Sequence, residues 1–352
     1  MSLAPHAQNQ TRGAVLHAAG DIRVEDVPLP PLTGDAVLVA VEAVGVCGSD
    51  LHYFASGRNG ANVLRRPTVL GHEAAGTVVA AGPQARTPVG ARVAVEPAVG
   101  CGTCAGCREG DYNVCPNGTC LGSPPTHGAF AEHVAVPDRA VHPLPDGIDT
   151  EAGALIEPLA VAVWAVRRAD VRPGHRVLIT GAGPIGLLVA QVAAAAGATE
   201  VVVTDVNDTR LAAARRIGGT AGPALTTLNT AWDPLELTGV DRLIECSAHP
   251  PALWQALRTL RPRARAVVVG QAPPSVDGLP LAHLQRWEID LVTAFRYAHA
   301  FPTAISLVAT GRVDTAALIT GRFGLDRTAE ALTAATGDPA HLKVLVRPHD
   351  AP

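Results

Sequence analysis

Four cysteines stand at Cys101-x2-Cys104-x2-Cys107-x7-Cys115, with Gly102, Gly106 and Gly110 between them. Thiolates at such spacings can wrap one tetrahedral zinc, and the glycines permit the tight reversals this needs. Four sulfurs leave no open coordination position, so a zinc held this way would be structural. A redox pair and plain buried thiols are the competing readings. A second set of chemically able residues is scattered. Cys47, His72, Glu73 and Glu157 lie in Gly45-Val-Cys47, Gly71-His-Glu73 and Ile156-Glu-Pro158, each at the end of an apolar run. Together they offer S, N and O donors, the mixture that holds a catalytic zinc with one position left for substrate. Singly, each has a plainer reading: a core thiol, a hydrogen-bonded loop imidazole, a solvated or capping acid. Spacing alone does not prove that they meet. Cys120 and Cys246 have no such companions and read as small buried residues, and His127 reads as a loop residue.

The element with the most specific local pattern runs from Arg176 to Asp205. Arg176-Val-Leu-Ile-Thr180 predicts a strand buried on both faces. It enters Gly181-Ala-Gly183-Pro-Ile-Gly186, a G-x-G-x-x-G. The first glycine makes the turn, the second lets a pyrophosphate approach the backbone, and the third lets the following helix pack on the sheet. Leu187 to Ala196 predicts that helix, whose N-terminal N–H groups favour a phosphate. Glu200-Val-Val-Val-Thr204 predicts the next strand, and Asp205 follows where a ribose-binding acid belongs. A carboxylate accepts from both ribose hydroxyls and repels a 2′-phosphate, which favours NAD over NADP. Arg210 is the complication, since an arginine there could pair with a phosphate.

The remaining pattern supplies the frame. Ala14-Val-Leu16, Ile22-Arg-Val24 and Ala36 to Val41 predict short strands separated by turns, an all-β beginning unlike the βαβ centre. Asp241 to Cys246 and Ala266 to Gly270 predict later strands, Ala221 to Asp233 a surface connection with a short strand, and Phe301 to Thr310 a core-packed helix. The 352 residues suit two domains. A formal charge of −4 without basic blocks argues against nucleic acid or an anionic membrane as the main partner. No run of 18 apolar residues occurs, and Met1 to Gln10 lacks the apolar stretch of a signal peptide, so the expectation is a cytoplasmic protein. Lys343 is the only lysine. This reads as a composition bias, and it nearly excludes lysine-based covalent chemistry.

In this order, Gly45-Val-Cys47-Gly-Ser49-Asp50-Leu-His52-Tyr53, Gly71-His-Glu73, the four-cysteine lobe, Glu157-Pro158, Gly181 to Gly186 and Phe295-Arg296-Tyr297 resemble the medium-chain, zinc-dependent alcohol dehydrogenases. Within them the chain is most similar to the sorbitol (polyol) dehydrogenase branch, from about Gly13 to Val346. The resemblance implies an α/β fold: a GroES-like β-rich catalytic domain from both chain ends, residues 1–158 and 294–352, with a structural zinc lobe at about 100–116. A Rossmann NAD-binding domain, a doubly wound parallel sheet over residues 159–293, would be inserted between them. It implies two zincs per chain. Cys47 and His72 would be catalytic zinc ligands, and Glu73 and Glu157 the acids completing the shell, one directly and one through the bound water. Asp50 would orient the imidazole, and Ser49 and His52 would relay the proton. Tyr53, Arg296 and Tyr297 would meet the hydroxyls of a polyol; for Tyr297 a core aromatic is the alternative. Gly181, Gly183, Ile185, Gly186, Asp205, Arg210, Val269, Gly270 and Phe295 would line the cofactor.

The implied activity is interconversion of a secondary alcohol of a sorbitol- or xylitol-like polyol and its ketone with NAD(H), in a homodimer or homotetramer. Cyclitols, aminocyclitols, aldonic acids and threonine are the alternative substrates. Two other classes compete. A zinc-free NADPH reductase on this scaffold would lack Cys47, His72 and Glu157, and a non-catalytic dinucleotide binder would not need Ser49 and His52.

Overall fold

The computed structural model describes residues 9–218, 225–271, 273, 275 and 277–350. The chain divides into two compact units, Met1–Glu157 with Ile319–Pro352, and Pro158–Leu318.

The first unit is β-rich. Its larger sheet runs Val141–Pro143, Arg92–Val95, Glu73–Ala81, Ala36–Gly45, Lys343–Arg347, Ile319–Gly324, with His133–Pro137 also pairing along Ala36–Gly45. A second sheet joins Asp21–Pro28, Gln10–Ala18 and Thr68–Val69. The strand Ala36–Gly45 is central because its aliphatic run can be buried: Val37, Val39, Val41 and Val44 all enter the core. The C-terminal strand belongs to the same core through Val344, Leu345 and Val346, which are fully buried. At roughly 1.5–3 kcal/mol for each such side chain, this strand accounts for a share comparable to the whole net stability of a domain. The strand Lys343–Arg347 is thus an integral part of a unit whose central strand lies some 300 positions earlier, Leu345 pairing with Gly45.

The second unit is a six-stranded, wholly parallel sheet in the order Leu225–Asn229, Glu200–Asp205, Arg176–Thr180, Val240–Glu245, Leu260–Val268, Asp290–Thr293. The order reverses beside Arg176–Thr180, which makes the turn after that strand the topological switch point, where ligands of such sheets bind. The helix Pro184–Ala195 follows that turn directly. The expected connection from Ala221 to Asp233 lies outside the described residues as far as residue 224; from there it is the strand Leu225–Asn229.

The domain boundaries differ from expectation at one end. The first crossing falls at Glu157/Pro158, inside the first turn of the helix Ile156–Ala169. The second falls at Leu318/Ile319 and not near Thr293. The physical reason lies in side chains. Arg167 donates to the His299 carbonyl at 3.0 Å and to Thr303 Oγ1 at 2.6 Å. Gln191 donates to the Asp314 carbonyl and accepts from its N–H at 2.7 Å. The helix Phe301–Ala309 and its flanks are tied to the nucleotide unit, so residues 294–318, Phe295, Arg296 and Tyr297 among them, belong there. No helix among the described residues is long and apolar enough to cross a membrane.

Candidate active site and metal centres

In the β-rich unit, the ligand atoms of Cys47, His72 and Glu73 lie within 4.8 Å of one another. Each sits where a strand ends. Cys47 follows the strand Ala36–Gly45 and is the N-cap of the helix Gly48–Ser56; His72 immediately precedes, and Glu73 opens, the strand Glu73–Ala81. Gly45 and Glu73 are paired across the two strands, which brings the two segments together. Asp50 staples them: one carboxylate oxygen accepts from the Cys47 N–H at 3.0 Å, the other from the Gly71 N–H at 3.1 Å. His72 Nδ1 stands 3.6 Å from Asp50, an ion-pair distance but too long for a hydrogen bond. Burial alone would disfavour a charged His72, yet Asp50 and Cys47 raise its pKa well above the usual imidazole value. The same surroundings favour any cation among the three ligands. Three protein donors of S, N and O type, with no fourth among the described residues, fit a catalytic zinc with an open position.

Glu157 is not part of this group. Of the two candidate acids, Glu73 completes the triad, and Glu157 is buried in the first turn of its helix, close enough that its charge contributes to the raised pKa of Lys343. Lys343 is the residue that sequence reasoning missed. Its Nζ donates to both Glu73 oxygens, at 2.8 and 2.7 Å. Burial opposes its charge, but Glu73, then Cys47, outweigh that and raise the pKa. The available signal was its being the sole lysine in a chain otherwise supplied with arginine.

Ser49 and His52 lie three positions apart in the helix Gly48–Ser56, hence on one face; Ser49 is half-buried and His52 exposed. Tyr53, next in that helix, is buried.

The four-cysteine lobe also forms. The ligand atoms of Cys101, Cys104, Cys107 and Cys115 lie within 4.8 Å of one another. Backbone N–H groups point at the sulfurs, Cys101 to Cys115 Sγ at 3.4 Å, Cys104 to Cys101 Sγ at 3.4 Å and Cys107 to Cys104 Sγ at 3.5 Å. Hydrogen bonds from Thr103 hold the Cys101 thiol down at about 5. Cys107, although the backbone of Gly102 favours its thiolate, is pushed up to about 12 by burial and by Cys115, Cys104 and Cys101. Four sulfurs so placed cannot all ionise without a cation between them, and a tetrahedral zinc is the fitting one. Separately, Tyr112 donates to Glu96 at 2.6 Å and the Glu96 carboxylate meets His142 Nε2 at 2.7 Å, anchoring the lobe to the strands. Cys115→Ser should therefore lower the melting temperature, by on the order of 10 °C, while kcat at a permissive temperature changes little. A variant that melts normally but turns over poorly would overturn the structural assignment.

In the nucleotide unit, Gly181 has φ +93°, and a Cβ on Gly186 would stand 1.9 Å from the Gly181 carbonyl oxygen. A Cβ on Gly183 would meet nothing within 4 Å: the space over it is free for a ligand. The Asp205 carboxylate accepts from the Ala182 N–H at 2.7 Å and the Asn207 N–H at 2.9 Å, which leaves each oxygen a lone pair for a ribose hydroxyl. Arg210 Nε is buried with no hydrogen-bond partner among the described residues. These features fit a dinucleotide. Ile185 lies in the first turn of the helix after Gly183. The Val269 and Gly270 N–H groups donate to the Glu245 carbonyl, so the loops after these two strands lie side by side. Arg296, at φ +49°, stacks over exposed Phe295 at 4.9 Å, and fully buried Tyr297 packs edge-on against Phe301 at 5.4 Å.

A doubly wound nucleotide sheet and a β-rich unit with one open and one closed metal site define a metal-dependent, dinucleotide-linked oxidoreductase. Residues 33–146 match the alcohol dehydrogenase GroES-like domain and residues 184–310 the zinc-binding dehydrogenase domain. Sorbitol dehydrogenase of Bacillus subtilis (strain 168) is 39% identical over 96% of this chain and 97% of its own. Sorbitol dehydrogenase of Rattus norvegicus is 37% identical over 98% of both. The crystal structure of L-idonate 5-dehydrogenase from Escherichia coli str. K-12 substr. MG1655 superposes with a TM-score of 0.89 at 30% identity, covering 96% of this chain and 98% of that one. The chain belongs to the zinc-dependent medium-chain alcohol dehydrogenases, in their polyol dehydrogenase branch. It is an enzyme using zinc and a nicotinamide dinucleotide.

Proposed function

We propose that the chain oxidises a secondary alcohol of a sorbitol- or xylitol-type polyol to the ketone with NAD, and runs the reverse reduction with NADH. The observation that carries the reading is the Cys47–His72–Glu73 triad at the start of the helix that presents Ser49 and His52. Zinc, when bound, supplies the charge that acidifies the substrate hydroxyl, and NAD supplies the acceptor for its hydride. Ser49 takes the hydroxyl proton, and His52, exposed on the same helix face, passes it to solvent. Glu157 is assigned to the water or substrate beside the triad. Tyr53, Arg296 and Tyr297 are assigned to the substrate's other hydroxyls; each buried hydroxyl left without a partner costs about 1–3 kcal/mol. Asp205 supports NAD over NADP, while an arginine at position 210, able to pair with a phosphate, keeps NADP as the second choice. A second copy or copies of the chain complete the proposed dimer or tetramer, in the cytoplasm.

The likeness to an L-idonate dehydrogenase supports an aldonic acid as the alternative substrate of the same chemistry. Cyclitols, aminocyclitols and threonine complete the panel. NADH and NADPH formation should be measured over sugar alcohols and these alternatives, with zinc counted per chain. Two zincs and the highest kcat/KM for an acyclic polyol with NAD are expected. Turnover confined to an acid, a cyclitol or threonine would reassign the substrate, and one zinc per chain would remove the triad from the metal chemistry.

A further inference from the structure

The one lysine of the chain is committed to the catalytic triad. Lys343 is 4% exposed and Glu73 1%. The ammonium donates to Glu73 Oε1 at 2.8 Å, to Glu73 Oε2 at 2.7 Å and to the Val46 carbonyl at 3.0 Å. An ammonium has three N–H donors, and all three are used. An arginine here would bring five donors in a rigid fork to a pocket with three acceptors, which accounts for a lysine in a chain that uses arginine elsewhere.

The sheet makes this contact possible. Gly45 pairs with Glu73 on one side and with Leu345 on the other, so Lys343, two residues earlier, passes the end of the central strand and reaches the acid beyond it. A Cβ on Gly45 would stand 2.0 Å from Glu73 Oε2, so the carboxylate occupies the space that only a glycine at this position leaves open. The Val46 carbonyl is part of the peptide that leads into Cys47. One side chain thus grips the backbone next to the thiol and the acid next to the imidazole.

We propose that Lys343 is a positioning residue that shares Glu73 with the catalytic metal, orienting its carboxylate and offsetting its charge so that Glu73 remains a weak ligand. This rests on the assignment of Cys47, His72 and Glu73 to that metal. A thiolate and a carboxylate together cancel the charge of a divalent ion; the ammonium leaves the loaded centre with a net positive charge. Without it, Glu73 is free to turn fully onto the metal, and like-charge repulsion between ammonium and dication is gone.

The test uses the full chain as Lys343→Met and Lys343→Arg, zinc removal by a chelator, and cobalt(II) in place of zinc as a spectroscopic reporter. Lys343→Met should lose the catalytic zinc roughly 10–100-fold more slowly, the size of effect that neighbours of metal ligands exert. Its cobalt absorption should shift as Glu73 turns in, and its melting temperature should fall more in the metal-free than in the loaded form. Zinc loss at the wild-type rate or faster would overturn the proposal. If Lys343→Met does not fold, Lys343→Arg decides. Its charge is kept but its fork must reorient the carboxylate, so a displaced cobalt spectrum is expected, and a wild-type spectrum would overturn the idea. A wild-type protein with one zinc would instead refute the triad assignment itself, so the two failures are distinguishable.

Discussion

Cys47→Ser should reduce kcat/KM by roughly three orders of magnitude or more, since several kcal/mol of charge stabilisation at the reacting oxygen depend on the metal. The zinc count should drop from the two per chain we propose to one. A serine hydroxyl does not replace a thiolate as a zinc ligand, and two remaining donors do not hold the ion. The variant isolates the metal because the position is otherwise tolerant. Cys47 is the N-cap of the helix Gly48–Ser56, and serine is a preferred residue there. The bond that fixes this turn comes from the Cys47 backbone N–H to Asp50, which the substitution leaves intact. Near-normal melting with lost metal and lost turnover is the expected pattern, the reverse of Cys115→Ser. Retention of both zincs, or of a tenth of the activity, would sink the assignment of Cys47.

The second large effect is expected at the glycine turn, where two neighbouring glycines should fail differently. On Gly183 a methyl group meets no protein atom within 4 Å, so Gly183→Ala should fold and melt as the wild type does. That same methyl occupies the space over the turn where the pyrophosphate comes closest to the backbone. NAD binding should weaken by roughly 10–100-fold, about 1.4–2.8 kcal/mol. On Gly186 the methyl would stand 1.9 Å from the Gly181 carbonyl oxygen. That oxygen has little room to retreat, because the turn is held by the Gly181 N–H to Thr204 at 2.7 Å and the Ala182 N–H to Asp205 at 2.7 Å. Gly186→Ala should lose NAD binding and nucleotide-unit stability together. Titration of both variants with NAD, alongside thermal melts, separates the outcomes. If Gly183→Ala bound NAD normally, the phosphate would not lie over this turn.

Much of this is legible in the sequence, and what is not shares a physical cause. The four thiols are within 15 residues of one another, and their spacing with intervening glycines already limits how the chain can fold around them. The glycine turn is a matter of backbone geometry between adjacent elements, so strand, turn, helix and acid announce it together. The acids were different. Glu73 and Glu157 look alike in sequence, each beside a residue of a recognisable motif, and only strand pairing places Glu73 with Cys47 and leaves Glu157 outside the triad. The far boundary of the nucleotide unit is not legible in the sequence, because the sheet's last strand ends at Thr293 while the segment beyond it is held by Arg167 and Gln191, which lie more than a hundred residues earlier. Lys343 reads in sequence as a remnant of composition, because its partner is 270 positions away.

By itself, the sequence determined the two folding patterns, the closed four-thiol site, the dinucleotide turn and the residue types able to hold a catalytic metal. The four-thiol site and the dinucleotide turn depend on interactions within a few tens of residues, which spacing and periodicity encode directly. The catalytic donors and the two-ended β-rich unit are legible only through the order of motifs along the whole chain. The tertiary structure alone decided which acid joins the thiol and imidazole, which cation that acid faces, and to which unit residues 294–318 belong. A carboxylate's role is set by the charges and donors within a few ångströms of it, and here those are brought in by the pairing of strands from opposite ends of the chain.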